Sequence, residues 1–329
     1  MGRDFAHGEQ SSLARVLAAV CRLCYTGQKY QSLPRGRGII EPARNMDEHM
    51  DPLRIAKASL GIGSKIPVEI LPDNDALIRR IADDLLNEFL SAKRAGRNKV
   101  VFIIPVGPIG QYDLLADRCN RERISLRDLV LINMDEYLTP DRMDFILMSD
   151  PLSFRKHMVD HFYDRLDPEL VPPPEQWLLP HPRDLSAIPR AIERLGGCDV
   201  CFGGIGIMGH VAFNDPPEPG ESVSIQEFKA LPTRVVRLSR ETRLINSVTA
   251  TRGNVDRIPE FAVTVGMKEI LASRKIRIYM NRFWQSAIVR KILHGPVTPA
   301  VPASLLQNHP DVRFVLVDHV AELPEPQLQ

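Results

Sequence analysis

His210 stands in the stretch "GGIGIMGHVAFNDP" (residues 203–216), among four glycines and five residues before Asp215. Glycines let a backbone approach a ligand closely, and a carboxylate within reach of an imidazole orients the ring and raises its proton affinity. That pairing suits general acid–base work, although a histidine satisfied by backbone in a tight turn would use the same residues. A second candidate pair, Asp135 and Glu136, follows the apolar run "LVLINM". At the end of a buried strand, burial raises a carboxyl pKa toward that of a useful base. The same two acids also fit a plainer reading, with one capping the next turn and the other facing solvent.

Other patterns carry less. Cys21/Cys24 and Cys198/Cys201 have the CxxC form of zinc sites, but "CDVCFGG" reads as a buried strand, where residues three apart point to opposite faces. They are read as core cysteines, and no metal site is expected. His157 and His161 are spaced i, i+4 in "HMVDH". Without the glutamate of the HExxH zinc pattern, that spacing reads as a helix face. The order G-G-x-G-x-x-G at 203–209 departs from the dinucleotide fingerprint, and no acid follows at the required distance, so no nicotinamide or other cofactor is implied.

These residues need elements to hold them. From about residue 66 apolar runs alternate with helical periodicity: a strand "VEILPD", a helix over 74–96 capped by Asp73 or Asn74 and stopped at Gly96, and a strand "KVVFIIPVG" apolar enough to be buried on both faces. A helix around "QYDLLADRC", a strand "LVLINMDEY", a helix around "PLSFRKHMVDHFYDRL" and a strand "DVCFGGIG" follow. "KIRIYMN", "WQSAIVRKILHG" and "VRFVLVDH" then read as strand, helix and strand. The alternation predicts an α/β fold with a doubly wound, mainly parallel sheet. Ligands of such sheets sit beyond the carboxyl ends of the strands, which singles out "PVGPIGQY", "NMDEYLTP" and the glycine-rich stretch. Residues 1–50, rich in Gly, Pro and charge, read as an extension that is partly disordered, with one short helix near 11–24. Residues 51–329 read as a single α/β domain.

Composition sets outer limits. The 329 residues include 42 Lys+Arg and 41 Asp+Glu, a net charge of +1 that gives no electrostatic footprint for nucleic acid. Five cysteines fit a reducing compartment better than a disulfide framework. With no run long enough to span a membrane and no signal-peptide pattern, the sequence reads as cytoplasmic.

Taken in order, "INMDEYL", "GGIGIMGHVAFNDP", "TRLINS" and "FAVTVGMKEIL" resemble the glucosamine-6-phosphate deaminase/isomerase family, over roughly residues 66–320. The resemblance implies a modified Rossmann-like fold shared with 6-phosphogluconolactonases, a sugar phosphate substrate and a homo-oligomer. It implies proton transfer between C2 and C1 of an amino sugar by Asp135, with Glu136 beside it. Ring opening falls to His210, supported by Asp215 where the family usually has Glu. Around the substrate it implies Gly107, Ile109, Gly204, Met208, Arg243, Arg282 and Gln285. Arg243 matches a phosphate-contacting arginine, and Arg282 could substitute for a phosphate-pairing lysine replaced by Gln285. The departures concern chemistry. Met208 stands where the family has Asp, and "PVGPIG" replaces a G-G-T core, so that Pro108 removes a backbone donor and Ile109 a hydroxyl. These changes keep two alternatives open, a weakly catalytic sugar-binding or regulatory protein and a 6-phosphogluconolactonase-like lactone hydrolase.

Overall fold

The structure, a computed structural model, describes residues 51–325. The expected extension and its short helix lie outside them. Strands β1 (Val68–Leu71), β2 (Val100–Ile104), β3 (Leu129–Asn133), β5 (Trp177–Leu178), β6 (Val200–Gly203), β9 (Lys275–Met280) and β10 (Val312–Val317) form one sheet in the order β1-β10-β9-β6-β2-β3-β5, with every pair parallel. All five residues of β2 and of β3 are buried, as their unbroken apolar runs require when helices cover both faces.

Helix α1 (Asn74–Arg94) starts where the Asp73 side chain accepts the Ala76 N–H at 2.7 Å and buries Leu77, Ile81, Leu85, Leu86 and Phe89 on one face. Helix α2 (Gln111–Glu122) follows β2, and α8 (Gln285–His294) follows β9. The chain leaves β2 to build β3 on one side of it and later returns to lay β6 on the other. The loops leaving β2 and β6 therefore diverge, which opens a crevice at the carboxyl end of the sheet.

Two expected elements differ. "LVLINMDEY" is not one strand: the chain turns at Met134, and Asp135–Tyr137 (β4) joins a second, antiparallel sheet in the order β4-β8-β7, with β7 at Arg234–Arg237 and β8 at Phe261–Thr264. Met134 serves both sheets, donating its N–H to Ile104 O at 2.9 Å and accepting the Val265 N–H at 2.7 Å. The expected helix over 151–166 is α-helical only at Phe154–Met158 (α3), and Val159–Tyr163 forms a π-helical turn. The small sheet closes its own apolar cluster of Tyr137, Ile146, Phe213, Leu238, Ile258 and Ala262. Helix α6 (Arg240–Ala250) follows β7, with Ser239 as its cap. Among the described residues no helix is long and apolar enough to cross a membrane.

Candidate active site

The crevice widens into a cavity of roughly 380 Å³, walled by the loops after β2 and β6, by β4, by the start of α3 and by the turn into α8. Gly107, Ile109, Asp135, Gly204, His210, Arg282 and Gln285 all line it.

Asp135 reaches the cavity because β4 leaves the main sheet at its carboxyl edge. Side chains alternate along a strand, so Asp135 and Tyr137 face the cavity and Glu136 faces away. Burial, and then the charge of Glu136, push the Asp135 carboxyl up to about 8. Tyr137 Oη accepts a hydrogen bond from Asn246 Nδ2 at 3.0 Å, and both residues line the same wall.

Glu136 is not a group of the cavity, contrary to the sequence reading. Its carboxylate is fully buried and accepts from the N–H groups of Tyr137, Phe154 and Arg155, from Ser153 Oγ, and from Arg155 Nε at 3.4 Å. It anchors the first turn of α3, whose orphan N–H groups need an acceptor. Burial nevertheless holds this carboxyl above its ordinary value.

His210 is buried, with Nδ1 2.7 Å from Asp215 Oδ1. Asp215 also accepts from Thr242 Oγ1 at 2.8 Å and from Ser239 N at 3.1 Å, so the cap of α6 holds the carboxylate that holds the imidazole. Burial alone would raise the Asp215 carboxyl, but the His210 contact and these hydrogen bonds outweigh it and keep it well below the usual range. The Nε2 side of the ring packs against Gly206, where a Cβ would fall on Nε2 and overlap the imidazole. Asn214, fully buried, donates to Val211 O and Val265 O and fixes the loop to the small sheet.

Met208 and Arg243 do not line the cavity. Met208 is half-buried, and Arg243 donates to the Ile258 carbonyl at 3.4 Å. Gln285 does line it, but its amide is occupied: Nε2 donates to Ile205 O at 2.6 Å, and Oε1 accepts the Arg282 N–H at 2.8 Å. The sequence reading missed His157, Tyr137, Asn246 and Trp284 on the wall. For His157 the signal was there in the spacing to His161. Their rings stack at 4.3 Å, and His161 Nδ1 lies 3.1 Å from Asp113 Oδ1, so the two share one face of the helical segment. Among the described residues no cluster of three or more His, Cys, Asp or Glu could hold a metal ion. Cys198 and Cys201 are buried free thiols.

An uncommitted carboxyl titrating near 8 and an imidazole oriented by a carboxylate, facing one cavity, can move protons between neighbouring carbon and oxygen atoms of a bound ligand.

The chain is 32% identical over 246 residues to the glucosamine-6-phosphate deaminase of Porphyromonas gingivalis strain W83, an alignment covering 73% of this chain and 87% of that one. With the glucosamine-6-phosphate deaminase of Bacillus velezensis it shares 34% identity, over 65% of this chain and 82% of the relative. Among solved structures, a monomeric glucosamine-6-phosphate deaminase superposes with a TM-score of 0.65 at 26% identity, covering 78% of this chain and 99% of that one. A 6-phosphogluconolactonase from Trypanosoma brucei superposes at 0.57 with 15% identity over 78% and 98%, a likeness of fold. No family model matches the chain.

Proposed function

The chain belongs to the glucosamine-6-phosphate deaminase family, and on that premise we propose that it is an aldose–ketose isomerase/deaminase acting on an amino sugar or related anionic sugar of the glucosamine 6-phosphate type. The observation that carries this reading is Asp135, a buried carboxyl pushed up to about 8 on the same cavity as the His210–Asp215 pair.

In the proposed reaction His210 moves a proton from the C1 hydroxyl to the ring oxygen, which opens the ring and leaves a C1 carbonyl. Asp135 removes the C2 proton, the electron pair forms the C1–C2 double bond, and the C1 oxygen takes a proton from the ammonium group of the substrate to give a neutral enolamine. The proton held by Asp135 returns at C1 as the nitrogen lone pair forms an iminium at C2, and water adds there as ammonium departs, leaving the C2 ketone. Asp215 keeps the imidazole oriented and balances its charge when it is protonated. Proton transfer of this kind draws on side chains alone.

A proton NMR time course in D2O with glucosamine and with glucosamine 6-phosphate, following the C2 signal and ammonia, tests the reading. Exchange at C2 with either sugar is the expected result, and ammonia with ketose distinguishes deamination from isomerisation. Silence with both would overturn it. A cytoplasmic homo-oligomer completes the proposal; light scattering reports the mass in solution.

A further inference from the structure

The cavity has little positive charge to offer. Of its lining side chains, Arg282 alone is a lysine or arginine, and it is exposed at the rim. A charge on His210 is already matched by Asp215 at 2.7 Å. Burial, and then the neighbouring His161, hold the His157 imidazole below its ordinary range, which favours its neutral form. Gln285 has its amide closed onto Ile205 and Arg282.

The nearby cations Arg155, Arg234 and Arg243 do not line the cavity. Arg155 binds Glu136 and the Ile146 carbonyl, Arg234 binds Asn214 Oδ1 at 2.6 Å, and Arg243, whose Nε has no partner, lies off the cavity wall. The loop after β2 presents Pro105 and Pro108, which have no N–H, and the Gln111 and Tyr112 side chains tie down the Val106 and Pro105 carbonyls. The neutral N–H groups of Gly107 and Ile109 remain on the loop, and the first turn of α2 behind it has N–H groups that no side chain caps, so this wall offers neutral donors but no cation. Much of the surrounding wall is apolar, with Val106, Ile109, Leu152, Phe154, Phe213 and Trp284.

A phosphate monoester brings about −1.5 to −2 charges at neutral pH. Removing such charge from water into a partly enclosed, largely apolar site is unfavourable unless cations and donors match it, and one solvated guanidinium matches it poorly. We infer that this cavity selects an amino sugar without a phosphate ester, carrying at most the single negative charge that Arg282 can meet. The inference rests on the amino-sugar reading above and narrows its substrate.

Calorimetry with 2-amino-2-deoxyglucitol and its 6-phosphate tests it. Neither alcohol has a carbonyl, so binding is measured apart from turnover. The unphosphorylated alcohol is expected to bind more tightly, by about tenfold, the size of an effect of one partly screened charge. Gln285→Lys adds a cation inside the cavity, and Ile109→Lys adds one at a position that is 60% exposed and tolerant of change. Each folded variant should shift the preference toward the 6-phosphate by about tenfold at low salt and by less at high salt. Equal or tighter binding of the 6-phosphate by the wild type, binding of neither alcohol, or no shift in either folded variant overturns the inference. The two readings fail separately. Selective binding of the unphosphorylated alcohol without C2 exchange of glucosamine would refute the reaction alone. Exchange confined to glucosamine 6-phosphate would refute the substrate class alone.

Discussion

In the proposed reaction Asp135 must be ionised to take a proton from carbon, yet burial and the Glu136 charge push its carboxyl up to about 8. The rate constant kcat/KM should therefore rise with pH and level off above about 8. Asp135→Asn should lower C2 exchange by about 10² to 10⁴-fold. The same shift bears on stability. A carboxyl whose pKa is higher folded than unfolded favours the fold below its unfolded pKa, and that contribution is lost as pH rises through the folded value. Thermal melts of Asp135→Asn should thus gain on the wild type between about pH 4 and pH 8, and a constant difference across that window would contradict the assigned pKa. At Gly206 the constraint is steric. Gly206→Ala would make a methyl overlap the His210 ring, so exchange should drop by about 10²-fold through misplacement of the imidazole. Unchanged exchange would mean that the ring position is not used.

Short elements of the small sheet decide which side chains meet. The strand after Met134 pairs antiparallel with β8, and its alternation turns Asp135 into the cavity and Glu136 into the scaffold. Glu136 then holds the amide groups that open α3, the helix that carries His157 to the wall. Glu136→Ala would leave those buried donors without an acceptor and strand Arg155, at a cost of about 2–4 kcal/mol. Chemical denaturation should record that loss, and a change within 0.5 kcal/mol, about the size of an ordinary surface substitution, would contradict the anchoring role.

At the scale of the molecule, Arg290 joins the two ends of the described chain. It is wholly buried in α8 and donates to four carbonyls, those of Ile55, Ser286, Ala321 and Glu322. These bonds clasp the entry segment and the stretch after β10 against the helix that leads from the cavity rim. Arg290→Ala should cost about 3 kcal/mol, because four carbonyls, two of them in fully buried bonds, lose their donor together. A matching drop in midpoint, with C2 exchange retained below it, is the expected result.

The parallel sheet was legible because runs such as "VVFII" and "LVLIN" are apolar without alternation and are separated by segments of helical period. The rule that ligands gather beyond the strand ends pointed to three loops that border the cavity, since it follows from topology rather than from side-chain detail. Adjacency in sequence could not say which of Asp135 and Glu136 faces the cavity, because that depends on β8, paired from more than a hundred residues away. Nor could motif position show that Met208 and Arg243 lie off the wall while His157 and Asn246 lie on it. Burial, charge balance and the amide already occupied at Gln285 arise only when distant segments share one space. The residue types able to do chemistry are thus set by the sequence, while tertiary packing decides which of them act together and what charge they can accept.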